Sequence, residues 1–94
     1  MNREAIVDPE ELRAFAYKLK SFSQFVEEQF DGLANAVGRL SDSWRDQEYQ
    51  HFVDYFRRTN EKLRAFSAKT DEVVPQMLRD AEAAAEIHRS QLTD

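Results

Sequence analysis

The chain contains no cysteine, and only two glycines and two prolines occur among its 94 residues. Without cysteine, a disulfide, a thiolate metal site and a thiol nucleophile are all excluded. So little glycine and proline is typical of a chain that is nearly all helix. No apolar run approaches the ~20 residues of a membrane span, and the N-terminus lacks the apolar core of a signal peptide. If the protein is exported, we expect a route without a cleavable general-secretion signal.

Positive charge is also scarce. The chain has 13 Lys and Arg residues and 18 Asp and Glu residues, which gives a formal net charge of −5. A nucleic-acid partner is therefore not expected, since contacts to a phosphate backbone need clustered Lys and Arg. The two signs are interspersed, which indicates a solvated surface. A membrane-active amphipathic protein remains a second alternative, ranked low because acidic polar faces do not attract anionic lipids.

The first patterned stretch begins with a strong helix start at Asp8-Pro9-Glu10-Glu11. Asp8 can cap the helix and Pro9 suits its first position, while the two glutamates complement the positive end of the helix dipole. Apolar residues then recur every seven positions, with aromatic residues widening the stripe: Leu12, Leu19, Val26, Leu33 and Leu40, flanked by Phe15, Phe22 and Phe30. This spacing predicts a helix over residues 9–40.

A short polar segment at residues 41–46 separates this stripe from a second one. Three small polar residues in a row precede Trp44, the single tryptophan, and this predicts a bend. The second stripe runs from Tyr49 to Ile87 and predicts a helix over residues 47–90. Pro75 predicts a kink there, because proline removes a backbone hydrogen bond. Both chain ends, Met1–Val7 and Gln91–Asp94, are predicted to be flexible.

The predicted fold is all-α: a single domain over residues 1–94 that forms an antiparallel two-helix hairpin and dimerises into a four-helix bundle. Ten residues are Phe or Tyr, and a lone hairpin would leave much of this apolar surface exposed. Pairing two hairpins would cover both stripes. The predicted dimer and core residues are Leu12, Phe15, Leu19, Phe22, Val26, Phe30, Leu33, Phe56, Leu63 and Phe66. Gly32 and Gly38, poor helix formers, suggest close approach of a neighbouring helix.

Residues for catalysis, cofactor binding or metal binding are not identified. His51 and His88 lie about ten helical turns apart on one predicted helix, so they cannot converge within it. Ser41 and Ser43 have no nearby histidine to act as base. A metal site needs more converging ligands than the sequence offers, and there is no glycine-rich phosphate loop. We therefore expect a protein that is not an enzyme and needs no cofactor.

Trp44 has two compatible interpretations: it seals the end of the bundle, or it lines a groove recognised by another protein. Trp44-Arg45-Asp46, with Phe52 eight positions after the tryptophan, resembles the Trp-X-Gly motif of the small secreted WXG-type family (early secreted antigen-like proteins). Members are helical hairpins of about this length, with the motif at the bend, and type VII secretion systems export them. The Asp8-Pro9-Glu10-Glu11-Leu12-Arg13 start is similar to the family's common opening, so the resemblance covers nearly the whole chain.

The chain departs from the family pattern in two places. Asp46 replaces the glycine of the motif; aspartate tolerates left-handed backbone better than most residues and can also cap the next helix. The family's export signal is a tyrosine followed four residues later by an acidic residue. In this chain the closest match places His88 at the position of the tyrosine and Leu92 at the position of the acidic residue. These two residues form at best a degenerate signal. The resemblance implies that a partner chain could carry the signal instead.

The resemblance implies a non-enzymatic protein that is exported by a type VII secretion system or acts as a dimer partner within one. The implied partners are a second copy or a related WXG-type chain, and a secretion ATPase that recognises Trp44 and Asp46. The expected location is outside the cell. The main alternative is a cytoplasmic helical adaptor or chaperone for a larger effector, which the missing tyrosine signal favours.

Overall fold

The computed structural model describes residues 7–92, with only the backbone described for Leu92. Within this range the chain forms two helices and no strand: α1 spans Pro9–Leu40 and α2 spans Gln47–Leu92. The prediction of an all-α, two-helix hairpin is confirmed. Residues 1–6 and 93–94, which hold most of the predicted flexible ends, lie outside the described residues.

The start of α1 is capped by the side chain of Asp8. Its Oδ1 atom accepts hydrogen bonds from the backbone N–H of Glu10 at 2.9 Å and of Glu11 at 3.3 Å. Pro9, the first residue of the helix, has no N–H that would need a partner. The local sequence therefore stabilises the first turn by itself, and Glu10 and Glu11 place negative charge at the positive end of the helix dipole.

Pro75 lies inside α2, and the helix continues past it for 17 residues to Leu92. Proline cannot donate the hydrogen bond that would reach the carbonyl of Asp71. The predicted kink at this position stays a prediction.

The residues group into two compact units, each containing part of both helices. The first unit consists of Met1–Ser21 and Thr70–Asp94. Its interior is built from small side chains, because Ala16 and Ala81 are fully buried and Ala84 is nearly so. An exposed ion pair crosses between the helices, with Arg13 Nη2 3.5 Å from Glu82 Oε1. Exposed pairs of this kind contribute ~0–1 kcal/mol, so the stability of this unit comes mainly from packing.

The second unit, Phe22–Lys69, has a polar contact in its interior. Ser23 and Ser67 are both buried, with their Oγ atoms 3.1 Å apart. Ser67 Oγ donates to Glu27 Oε2 at 2.5 Å. Because a serine hydroxyl carries a single proton, Ser23 must donate to Ser67 in this arrangement. This chain of hydrogen bonds satisfies two hydroxyls that would otherwise be costly to bury.

The small residues between the helices leave the large apolar side chains partly or largely exposed. Among the described residues, no large side chain is fully buried, and Phe15, Phe22 and Leu33 are each more than half exposed. Of the ten predicted dimer and core residues, Phe66 is also exposed, and the remaining six are half-buried: Leu12, Leu19, Val26, Phe30, Phe56 and Leu63. Their role in a dimer stays a prediction, but the hairpin alone does not enclose them.

Because alanine packs closely between the helices of the first unit, we predict that a larger side chain lowers the free energy of unfolding at a buried position and not at an exposed one. We expect Ala81→Leu to lower the free energy of unfolding by ~1–3 kcal/mol, because the added atoms overpack a fully buried position. Ala83→Leu, on the exposed side of the same helix, should change it by less than ~0.5 kcal/mol. Urea unfolding of both variants at one protein concentration makes the comparison. Equal losses for the two variants would contradict this packing.

Candidate functional site

The end of α1 is closed by hydrogen bonds from the bend. The backbone N–H of Ser41 donates to the carbonyl of Gly38 at 3.3 Å, and those of Ser43 and Trp44 donate to the carbonyl of Leu40 at 3.0 and 2.7 Å. The hydroxyl of Ser41 also donates to Gly38 O at 2.7 Å. The last carbonyls of a helix lack partners within it, so the polar bend residues satisfy part of this need and fix where the helix stops.

Asp46 begins the second helix by capping it. Its Oδ1 atom accepts a hydrogen bond from the backbone N–H of Tyr49 at 3.2 Å, and its carbonyl accepts one from the same N–H, also at 3.2 Å. Throughout residues 7–92 no backbone φ is positive, at glycine or elsewhere. Of the two roles considered for aspartate at the position of the motif glycine, the structure therefore uses the cap and not the left-handed turn.

Tyr49 ties the two helices together beside the bend. Its side chain is only 8% exposed, and its hydroxyl donates to the backbone carbonyl of Val37 at 3.0 Å. Val37 is one of the last four residues of α1, whose carbonyls have no intrahelical partner. In the sequence, Tyr49 is only the first apolar residue of its stripe, so its hydroxyl was not predicted to join the helices. The signal that could have indicated it is a tyrosine three residues after the capping residue Asp46.

Aromatic rings connect the bend with both helices. We call Phe30, Trp44, Tyr49, Phe52 and Phe56 the bend cluster. The Trp44 ring meets Tyr49 edge-on at 5.3 Å between centroids and is tilted against Phe52 at 6.3 Å. Phe52 continues to Phe56 at 6.2 Å, and Phe56 stacks on Phe30 at 4.7 Å. Each such pair contributes ~0.5–1.5 kcal/mol beyond the area it buries, so the cluster holds Trp44 in a defined position.

The bend cluster is accessible at its outer edge. Trp44 is half-buried, Phe52 is 38% exposed, and neighbouring Tyr55, whose ring lies 6.4 Å from that of Phe52, is 60% exposed. Trp44 therefore covers part of the cluster while presenting the rest of its ring to the surface. Both interpretations of this residue, as a seal and as a contact for another protein, are compatible with this placement.

Other predicted core residues meet in the same unit. The rings of Phe22 and Phe66 form an edge-on pair at 6.1 Å, one from each helix. Leu33 is 52% exposed. The structure thus brings Trp44 and Phe52 together as a site and leaves Phe22 and Leu33 on an open surface.

The candidate export-signal residues lie near the end of α2. His88 is half-buried and lines an open groove of about 650 Å³ in the first unit, which Asp8, Pro9 and Arg13 also line. The side chain of Leu92 lies outside the described residues. The proposed role of this pair stays a prediction.

The charges next to His88 are paired. Arg89 donates to the carboxylates of Glu86 and, at 3.5 Å, Glu82. The hydrogen bond to Glu86 and the negative charge of that residue raise the pKa of the Arg89 guanidinium, with a smaller contribution from Glu82. Arginine is already charged at every physiological pH, so this shift does not change the charge of Arg89.

The part of the chain that the structure describes contains no group of three or more metal-ligating side chains that could hold a metal ion. Neither described helix combines the length and apolar character needed to cross a membrane.

One family model matches the chain, over residues 5–86, and its description is "Proteins of 100 residues with WXG". The matched range includes the whole bend, the bend cluster and nearly all of both helices. The chain belongs to the WXG100 family. Neither a curated protein nor a solved structure matches it.

The WXG100 family consists of small helical proteins associated with type VII secretion, which typically dimerise with related WXG chains. The predicted family membership is therefore confirmed. In this WXG100 chain Asp46 caps α2 through its side chain, and the assignment of Trp44 and Asp46 to the tryptophan and glycine of the motif stays a prediction.

Because Asp46 acts as a helix cap, we predict that position 46 of this WXG100 chain tolerates glycine better than alanine. Asp46→Ala should lower the free energy of unfolding by about 1 kcal/mol, because the hydrogen bond to Tyr49 N–H is lost. Asp46→Gly, which introduces the glycine of the Trp-X-Gly motif, should cost only a few tenths of a kcal/mol. Urea unfolding measures both. If Asp46→Gly lowered the free energy of unfolding more than Asp46→Ala did, Asp46 would not stabilise the protein as a helix cap.

The buried phenol predicts a second local effect. Tyr49→Phe keeps the ring and removes only the hydrogen bond to Val37 O, so it should destabilise the WXG100 fold by roughly 0.5–1.5 kcal/mol. Tyr55→Phe, at a ring that is 60% exposed, is the matched control and should be nearly neutral. Thermal unfolding followed by circular dichroism compares them. If both variants behaved like the parent, Tyr49 would not join the helices through its hydroxyl.

Proposed function

We propose that this WXG100 chain is a non-enzymatic protein that a type VII secretion system exports, alone or as the dimer partner of a second exported chain. It works through protein–protein recognition. The observation that carries this proposal is the bend cluster, in which a half-buried tryptophan is held by Tyr49 and Phe52 at the surface. Tryptophan in a supported aromatic setting is enriched among the residues that dominate binding energy.

The exposed apolar residues support dimerisation. Among the described residues, eleven large apolar side chains are each at least 38% exposed, and extensive exposed apolar surface usually marks an interaction site. Large side chains such as Phe22, Phe25 and Leu33 contribute to this surface. A second hairpin that covered them would complete a four-helix bundle.

The recognition surface for the secretion machinery consists of Trp44 and Asp46 at the bend. In an antiparallel dimer of hairpins, each bend would lie near the C-terminal segment of the other chain. A secretion ATPase would then recognise the bend of one chain and the tail of its partner together. This arrangement suits a chain whose own tail residues, His88 and Leu92, do not form the tyrosine–acid pair of the family.

A second candidate function is that of a cytoplasmic adaptor or chaperone for a larger effector. It is favoured by the same tail, because a chain without an export signal could remain inside while its partner leaves. The two proposals differ in where the protein accumulates, so comparison of culture supernatant with cell lysate distinguishes them. Accumulation in the lysate alone would favour the adaptor.

Removal of the tryptophan tests the proposed recognition surface. Trp44→Ala should abolish export while leaving dimerisation intact, because Trp44 lies at the bend and not among the exposed apolar residues of the helices. Tyr17→Ala removes another exposed aromatic ring, 53% accessible and in the other unit, and should be exported normally.

The measurement is the amount of each variant in the culture supernatant of cells that carry the secretion system, with light scattering to obtain the mass of the purified protein. Unchanged export of Trp44→Ala would remove the role assigned to the bend. Loss of both export and dimerisation would place the tryptophan in the dimer interface instead.

A further inference from the structure

A cleft of about 350 Å³ lies between the two helices of the first unit, beside Pro75. Both helices contribute to its lining, which includes Tyr17, Lys20, Thr70, Asp71, Val74 and Pro75. We call it the Pro75 cleft. Its volume falls at the small end of the ~300–1,000 Å³ range of pockets that bind small molecules.

The Pro75 cleft opens away from the surface at which a second chain is proposed to dock. Tyr17, which lines the cleft, follows exposed Phe15 by two residues, and this is a rotation of about 200° around α1. A ligand in the cleft would therefore not compete with a chain that covers Phe15. The site is independent of the proposed dimerisation.

Thr70 places a hydroxyl group without a partner in the Pro75 cleft. The residue is only 4% exposed, and within residues 7–92 its hydroxyl forms no hydrogen bond. By contrast, the hydroxyl of Thr59 in the same helix donates to the carbonyl of Tyr55 at 3.0 Å. Buried hydroxyls are nearly always hydrogen-bonded, because an unsatisfied one destabilises the fold. The Thr70 hydroxyl is therefore available to a ligand.

Pro75 frees a second polar group at the same place. In a regular α-helix the carbonyl of Asp71 would accept a hydrogen bond from the backbone N–H of residue 75, which proline lacks. Asp71 and Pro75 both line the cleft. One backbone acceptor is thus left for a donor from outside the helix.

Lys20 and Asp71 border the Pro75 cleft from different helices and carry opposite charges. In the described part of the chain neither of them forms an ion pair, whereas Arg13 of the same unit pairs with Glu82 across the helices. Both side chains are exposed, so water solvates them in the free protein. A ligand with a positive and a negative group close together would pair with both.

The remaining wall of the cleft is apolar. Val74 is only 5% exposed and Leu78 is half-buried, and the rings of Tyr17 and Pro75 add further apolar surface. Sites for small molecules combine such apolar walls with a few polar groups that fix the orientation of the ligand. The body of the ligand is therefore expected to be apolar.

We propose that the Pro75 cleft binds a free amino acid with an apolar side chain. That side chain packs on Pro75 and Leu78. The ammonium group donates hydrogen bonds to the carboxylate and the backbone carbonyl of Asp71, and the carboxylate accepts from Lys20 and from the hydroxyl of Thr70. The end of a protein chain carries only one of these charges, so it would leave Lys20 or Asp71 without a partner.

Three probes with the same phenyl group test this set of contacts. L-Phenylalanine carries both charges, phenethylamine lacks the carboxylate, and 3-phenylpropionate lacks the ammonium group. We expect L-phenylalanine to bind with a dissociation constant on the order of 1 mM, the strength typical of so small a ligand. Each of the other probes should bind about tenfold more weakly, because a hydrogen bond to a charged group is lost.

The measurement is a titration of the isotope-labelled full chain, followed by the chemical shifts of its backbone amides. L-Phenylalanine should shift the amides of Lys20 and Asp71 and leave that of Trp44, in the other unit, unchanged. Absence of any shift at about ten times the expected dissociation constant would overturn the proposal. Equal affinity for all three probes would do the same, because the charges would then play no part.

Charge substitutions assign each end of the ligand. Lys20→Met should bring the affinity for L-phenylalanine down to that for phenethylamine, and Asp71→Asn down to that for 3-phenylpropionate. Lys18→Met, two residues away and outside the lining of the cleft, is the matched control and should leave all three affinities unchanged. If Lys18→Met and Lys20→Met weakened binding equally, the contact assigned to Lys20 would be wrong.

Two further variants test the groups that lack a partner. Thr70→Val keeps the shape of the side chain, and Pro75→Ala supplies an N–H to the carbonyl of Asp71, so each should weaken binding of L-phenylalanine about fivefold. Thr59→Val, whose hydroxyl is already bonded, should bind as the parent does. Circular dichroism verifies that each variant is folded. Parental affinity in both Thr70→Val and Pro75→Ala would overturn the assignment of these groups to the ligand.

Discussion

The small side chains between the two helices leave many of the large apolar side chains exposed. Alanine at positions 16 and 81 is fully buried in the first unit, and Ser23 and Ser67 are in hydrogen-bonding contact in the second. Such side chains allow the helices to approach closely but enclose little apolar surface. The phenylalanines at neighbouring positions are consequently directed outward, and the hairpin gains less from hydrophobic burial than its composition would permit. A fold of this kind is suited to being completed by another chain.

The bend is stabilised differently, because interactions between residues close in the sequence and at the adjoining helix ends hold it in place. Asp46 caps α2, Tyr49 reaches back to the carbonyl of Val37, and Trp44 packs on Tyr49 and Phe52. The glycine of the family motif is not required, since no residue of the described bend needs a positive φ. The tryptophan is therefore positioned by its aromatic neighbours together with a helix cap, and this supported ring is what makes the bend a plausible surface for recognition.

The sequence predicted the hairpin well because its signals are local: a proline–glutamate start, a seven-residue apolar repeat and a polar bend. It also indicated Trp44 and Phe52, through the family motif. It did not indicate which side of each wide apolar stripe faces the other helix. Heptad spacing treats Phe15 and Phe22 as core positions, but Ala16 and Ser23, one residue further along, are the buried ones. The distance between two packed helices depends on the side chains of both, so the apolar pattern along one helix does not predict it.

We propose that a second chain covers the exposed apolar residues in the folded protein. The most direct test of this proposal is urea unfolding at two protein concentrations that differ a hundredfold. If folding and dimerisation are coupled, the apparent free energy of unfolding should rise by about 2.7 kcal/mol per mole of dimer at the higher concentration, with a matching rise in the urea midpoint. Identical midpoints at both concentrations would show that the hairpin is stable alone and would contradict the claim.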